Sequence, residues 1–153
     1  MTEFNFNDQL AIDIEKEVSG VEVQRVYRRT YNSLPSDINE LNPDFIISLH
    51  CNAFNGSASG TEVLYYHRSV NGKKIAAILN EQLVNALGLK NRGIKPKTAE
   101  DRGGNLLKNT VGICVIAEPF FIDNDEDLNI VIDKRDDLVK AYANGIEAIA
   151  QSI

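Results

Sequence analysis

The chain has 153 residues, 43% of them hydrophobic and 25% charged, with a formal net charge of -6. That apolar content excludes a disordered chain and suits one domain with an ordinary core. The acidic balance argues against a nucleic-acid binder, since the one local basic group is Lys90, Arg92, Lys95 and Lys97 and no long basic run occurs. No apolar run approaches the length of a membrane span. The opening "MTEFNFNDQL" has neither a basic n-region nor an apolar h-region, so no signal peptide is predicted. The two cysteines, Cys51 and Cys114, fit no disulfide framework or zinc ribbon and read as reduced, buried thiols.

In chain order, "FNDQLAIDIEKEV" places Phe6, Leu10, Ile14 and Val18 at helical spacing, which predicts an amphipathic helix ended by Ser19-Gly20. "VEVQRVY" is β-rich and alternating, and predicts a strand. "SLPSDINELNP" predicts a short helix, opened by Pro35, Ser36 and Asp37 and stopped by Asn42-Pro43. "DFIISLH" is a continuous apolar run, as in a strand covered on both faces. "NAFNGSASG" reads as a loop, and "TEVLYYH" as the next strand.

A helix follows over "NGKKIAAILNEQLVNALG", with Ile75, Ile78, Leu79, Leu83, Ala86 and Leu87 on one face and Gly88 as its stop. "KPKTAEDRGG" reads as a loop, "NLLKNT" as a short strand and "VGICVIAE" as an apolar strand ending at Glu118. The remainder, "DNDEDLNIVIDKRDDLVKAYANGIEAIAQSI", reads as helix, with Leu138, Ala141, Tyr142, Gly145, Ile146 and Ile149 facing inward. Asp123, Asp125, Glu126 and Asp127 cluster near its start, where the helix dipole favours negative charge. Strands alternating with helices predict a single α/β domain over residues 1–153, with a mainly parallel twisted sheet flanked by helices.

In such sheets, ligands gather beyond the carboxyl ends of the strands. Two apolar strands end in ionisable side chains, "FIISLH" in His50 and "ICVIAE" in Glu118. If those strands are parallel, both side chains reach one rim. A neutral imidazole is a common zinc ligand, and a carboxylate beside it can act as a general base. On pattern alone, a hydrogen-bonded strand-end histidine and a capping carboxylate remain the commoner explanations. His67 reads as a surface histidine beside Arg68, and Glu62 as an exposed residue starting its strand, with a position near the rim left open. Nothing resembles a nucleophile elbow, and "GLKNRG" lacks the spacing of a phosphate-binding loop.

"DFIISLHCNAFNGSASGTEVLYY" resembles a segment of the zinc-dependent N-acetylmuramoyl-L-alanine amidases, the cell-wall amidases and endolysins. In that family Ser-Ile-His-Ala-Asn-Ala is followed by a small-residue loop, Gly-Thr-Glu and a Tyr-rich strand. "VIAEPFFIDNDED" resembles the family's later segment, where a glutamate ends a strand. "NRG" with "NLLKNT" fits the stretch between, and "TEFNFNDQLAIDI" resembles the helix that follows the family's ligand glutamate.

The resemblance spans nearly the whole chain. It implies Zn2+ as cofactor, Glu3 and His50 as metal ligands and Glu118 as the catalytic glutamate. It further implies hydrolysis of the amide between N-acetylmuramic acid and L-alanine in peptidoglycan. The family's first histidine ligand lies in a Gly-His-Gly-like motif after a first strand, upstream of the ligand glutamate. Glu3 is the third residue here, so the resemblance implies an N-terminally truncated domain with an incomplete zinc site and impaired activity. An exposed sheet edge, open to pairing with a second copy, is the further expectation.

The partner implied is peptidoglycan, met at the cell wall or periplasm after phage-type release or by way of a longer N-terminus. A non-catalytic peptidoglycan-binding or regulatory module on the same fold is the alternative, and a zinc peptidase with a similar rim is a third.

Overall fold

The computed structural model describes residues 1–153. Helix α1 spans Glu3–Glu17, and the Thr2 hydroxyl caps it by accepting from the Asn5 N–H at 3.1 Å. The cap fixes the first turn and with it the position of Glu3. Phe6, Leu10 and Ile14 recur at fourth positions and are buried on its inner face.

"VEVQRVY" forms no strand and has no regular secondary structure. Its side chains instead lie back along α1, where Arg25 meets Glu15 at 3.5 Å and the Tyr27 hydroxyl donates to Asp8 at 2.7 Å. The strand expected from the alternation is therefore absent, because a ladder needs a neighbour and this segment has none. Helix α2, Leu34–Glu40, carries proline in its first turn as predicted.

The sheet has four strands, β1 Phe45–Leu49, β2 Thr61–Tyr66, β3 Asn91–Lys97 and β4 Ile113–Glu118, in the order β1-β4-β2-β3. The β1/β4 and β2/β3 pairs are parallel, and β2/β4 is antiparallel. The sheet is therefore mixed, with two of its three pairings parallel. β2 and β4 lie in the middle and are nearly all buried, whereas every residue of β1 is only half-buried. The apolar run "FIISL" is thus an edge strand, with Phe45, Ile47 and Leu49 packed against the core on one face and Ile46 on the other.

β3 occupies the other edge and extends through "KPK", read above as loop. Pro96 in the strand reads as a breaker, yet an edge strand tolerates it because one side of its backbone needs no ladder. Helix α3, Val70–Leu87, matches expectation: Ile75, Leu79, Leu83 and Leu87 are at most 1% exposed, and Gly88 closes it in the left-handed conformation. Burying each of those side chains contributes about 2 kcal/mol.

"NLLKNT" forms a helix, α4, Gly104–Asn109, not a strand. Leu106 and Leu107 bury together under it, while Asn109 bonds Asn105 four residues back and the Thr110 hydroxyl bonds the Leu106 carbonyl. Gly103 precedes it at φ +83°, and a Cβ there would lie 2.7 Å from Ile116 Cδ1, so this position requires glycine.

The C-terminal helical region is two helices, α5 Asp125–Asp133 and α6 Arg135–Ser152, broken at Lys134. The Lys134 ammonium reaches the Leu87 carbonyl at the end of α3, tying the break to the neighbouring helix. All six residues predicted to face inward on α6 are buried.

Side chains alternate along each strand and divide the core in two. Val63, Tyr65, Val115 and Ala117 join α1, α3 and α6 in the large cluster. Leu64, Cys114 and Ile116 join Ile38 of α2 and Leu106 and Leu107 of α4 in the small one. No helix is long and apolar enough to cross a membrane.

Candidate active site

Parallel pairing of β1 with β4 sets Leu49 opposite Ala117, so His50 and Glu118 leave the sheet at the same rim. The His50 N–H still donates to the Ala117 carbonyl at 3.0 Å, which holds the histidine at the strand's end. Glu118 shares its face with Ile116 and Cys114, the face covered by α2 and α4.

The capped first turn of α1 brings Glu3 to this rim. Its Oε1 lies 3.1 Å from His50 Nδ1 and accepts from the Cys51 N–H at 3.2 Å. His50 Nε2 lies 3.1 Å from the Ser48 hydroxyl, so both ring nitrogens have oxygen partners. Partial burial holds the imidazole pKa below its ordinary value, against the opposing pull of Glu3, and Arg102 and Arg28 lower it further. A neutral imidazole is the ligand form.

The antiparallel β2/β4 pairing brings a further residue to the rim, the position the sequence left open for it. Glu62, expected to be exposed, is the cross-strand partner of Glu118 and is only 7% exposed. Its Oε1 accepts from Arg92 Nε at 2.8 Å, and the Arg92 guanidinium also lies 5.0 Å from the centre of the Phe121 ring. Burial pushes the Glu118 carboxyl up to about 7, and the charge of Glu62 and a hydrogen bond to it push in the same direction. Arg102 pulls the other way. A carboxyl poised near neutrality can both take and give a proton at that pH.

The loops around the rim are pinned by acids that sequence reading treats only as charges complementing a helix dipole. Asp123 accepts the N–H groups of Phe54 and Gly56 at 2.9 and 3.0 Å. Asp127, 1% exposed, accepts from the Ser59 hydroxyl and from the N–H groups of Gly60 and Phe121. Together they fix the loop after β1 to the segment after β4. The sequence signal was Asn124 three residues before Asp127, a helix-capping spacing, and Asn124 does cap α5 through the Asp127 N–H.

His67 lies at the far end of β2, exposed and edge-to-face against Tyr66, away from this rim. Both cysteines are free and buried, and burial raises each thiol to about 12, so neither is reactive.

Glu3 and His50 present an oxygen and a nitrogen at nearly the separation of two ligands on one tetrahedral zinc, about 3.3 Å from standard bond lengths. A catalytic zinc takes three protein ligands. No group of three histidine, cysteine, aspartate or glutamate side chains is placed to hold a metal.

The architecture is shared with solved cell-wall amidases. An N-acetylmuramoyl-L-alanine amidase from Clostridium difficile 630 superposes with a TM-score of 0.86 at 20% identity, over 99% of this chain and 86% of that one. The catalytic domain of the CD27L endolysin targeting Clostridia difficile gives 0.75 at 27% identity, over 95% of this chain and 83% of that one. An uncharacterised cell wall amidase of Bacillus anthracis is 35% identical over 94 residues, which are 55% of this chain but only 16% of that protein's length. Residues 1–148 match the N-acetylmuramoyl-L-alanine amidase family Amidase_3, and the chain belongs to that family.

Proposed function

We propose that this domain hydrolyses the amide between the lactyl group of N-acetylmuramic acid and the L-alanine of the peptidoglycan stem peptide. The observation that carries the reading is the placement of Glu118, with its pKa near 7, at the rim that also holds Glu3 and His50. Ionised, Glu118 takes a proton from the attacking water. Protonated, it delivers that proton to the nitrogen of the departing alanine, which leaves as a neutral amine. Glu62 and Arg92 keep the carboxyl buried and oriented while this happens.

Zinc is the cofactor this reading expects at Glu3 and His50. The site of action is the cell wall, and the partner is peptidoglycan itself. Incubating purified sacculi with the protein and Zn2+ should release stem peptides bearing new L-alanine amino termini, and the Glu118→Gln variant should release none. Cleavage at any other bond, or undiminished release by the variant, would refute the assignment.

A second reading has one observation in its favour, the two-donor metal pair: the domain binds peptidoglycan without cleaving it. Co-sedimentation with sacculi, with no new amino termini in the presence of Zn2+, would establish that outcome.

A further inference from the structure

Asn7 is the one polar side chain buried on α1, set among Phe6, Leu10 and Ile14 and 9% exposed. Its Nδ2 donates to the Leu49 carbonyl at 3.2 Å and lies 3.8 Å from Cys51 Sγ. Its Oδ1 is buried with no partner. Turning the amide over would not help, because the Leu49 carbonyl accepts only from the nitrogen. A buried acceptor without a donor is destabilising, and a leucine of the same branched shape would avoid it.

The geometry of β1 shows what the asparagine does there. The His50 N–H points to β4 through its bond to the Ala117 carbonyl. Trans peptide geometry then turns the Leu49 carbonyl and the Cys51 N–H to the outer edge of the sheet, where β1 has no neighbouring strand. Helix α1 supplies the partners instead. Asn7 takes the Leu49 carbonyl, and Glu3, one helical turn earlier, accepts from the Cys51 N–H at 3.2 Å. The two bonds straddle His50, whose Nδ1 lies 3.1 Å from the same Glu3 Oε1.

We propose that Asn7 is a positioning residue: by fixing α1 to the Leu49 carbonyl it sets the Glu3 carboxylate against His50 and prepares the two for a shared zinc. The inference rests on the zinc reading of Glu3 and His50 above and adds the residue that holds them in register. The Thr2 cap shapes the first turn of α1, and Asn7 fixes where that turn lies relative to β1. A group that orients a ligand from behind typically changes metal affinity by about 10–100-fold when removed.

The test compares three substitutions in the full chain. Asn7→Leu keeps the branched skeleton and removes the donor, and Asn7→Ala removes the donor without adding bulk. Leu10→Ala loosens the packing of α1 but leaves both bonds to β1 in place. Each is measured by amide hydrogen exchange without metal, by Zn2+ calorimetry and by thermal unfolding. In both Asn7 variants the Cys51 N–H should exchange about tenfold faster, while the His50 N–H, bonded to Ala117, keeps its protection. Zn2+ affinity should fall about tenfold. Asn7→Leu should do this with a Tm no lower than the parent's. Leu10→Ala should show the reverse, a Tm lower by several degrees with Zn2+ affinity within about twofold.

Unchanged Cys51 exchange, or a Zn2+ affinity within twofold of the parent's, in both Asn7 variants would overturn the proposal. So would an equal loss of affinity in Leu10→Ala, since any loosening of α1 would then suffice. A fall in Tm for Asn7→Leu matching that of Leu10→Ala would mark Asn7 as a packing residue and overturn it too. If the parent binds no Zn2+ at millimolar concentration, the zinc reading fails alone, and the metal-free Cys51 exchange still decides whether Asn7 holds Glu3 in place.

Discussion

Replacing Glu118 with glutamine should stabilise the protein above neutral pH and leave it nearly unchanged in acid. The carboxyl titrates near 7 in the folded chain, against an ordinary value of 4.5. Below pH 4.5 the group is protonated in both the folded and unfolded states and imposes no penalty. Between 4.5 and about 7 the unfolded chain ionises while the folded chain resists, so stability falls as pH rises. Above 7 both states are ionised and the whole cost is present.

That pKa difference corresponds to about 3 kcal/mol. Glu118 retains some solvent contact, which screens the effect, so ~2 kcal/mol is the better expectation. For a chain of this size that amounts to roughly 4–8 °C in Tm. The assay is thermal unfolding of both proteins in chelator at pH 4 and pH 8. The Tm advantage of the variant should open by that amount between the two conditions. An advantage equal at both pH values, or one larger in acid, would refute the account of Glu118 as a carboxyl whose ionisation is resisted by burial and by Glu62.

Substituting Glu62→Gln should move the Glu118 titration down towards the ordinary carboxylate range, read by NMR, and cost about 1–2 kcal/mol because Arg92 loses its ionised partner. No movement of the Glu118 titration would show that the two carboxyls act independently. Asp127→Ala should cost about 2–4 kcal/mol in denaturant unfolding, since the N–H groups of Gly60 and Phe121 and the Ser59 hydroxyl would all lose their acceptor. A change below ~0.5 kcal/mol would contradict its anchoring role. Calorimetry of the chain with Zn2+ should show weak binding, roughly micromolar or poorer, abolished by Glu3→Ala or His50→Ala, because two donors rather than three meet the metal. Stoichiometric zinc surviving dialysis against chelator would mean that a further donor completes the set.

The helices were legible because their evidence is local. Leu10, Ile14, Leu79, Leu83, Leu138 and Ile149 lie at spacings that only a helix turns to one side, and all are at most 4% exposed. "NLLKNT" misled because two adjacent leucines carry no period, and in so short a segment the side-chain bonds of Asn105, Asn109 and Thr110 decide. "VEVQRVY" misled differently: its alternation is real, but strand status belongs to a pair of segments and cannot be read from one. Pro96 concealed β3 for a related reason, since its tolerance depends on which edge of the sheet the strand occupies.

The candidate site divides along the same line. His50 and Glu118 were visible because each ends its own apolar run, and parallel strands bring such ends to one rim whatever lies between them. Glu62 begins its strand, so a strand running parallel to β4 would carry it to the opposite rim. Only the antiparallel β2/β4 pairing turns that start towards the end of β4 and sets the two glutamates side by side. The same reversal obliges the fold to balance a second buried carboxylate, and β3, pairing with β2 from its other side, supplies Arg92 for it. One strand direction thus makes the sheet mixed, buries Glu62 and draws in its arginine, and with burial it helps hold Glu118 near pH 7, where the proposed proton transfer needs it.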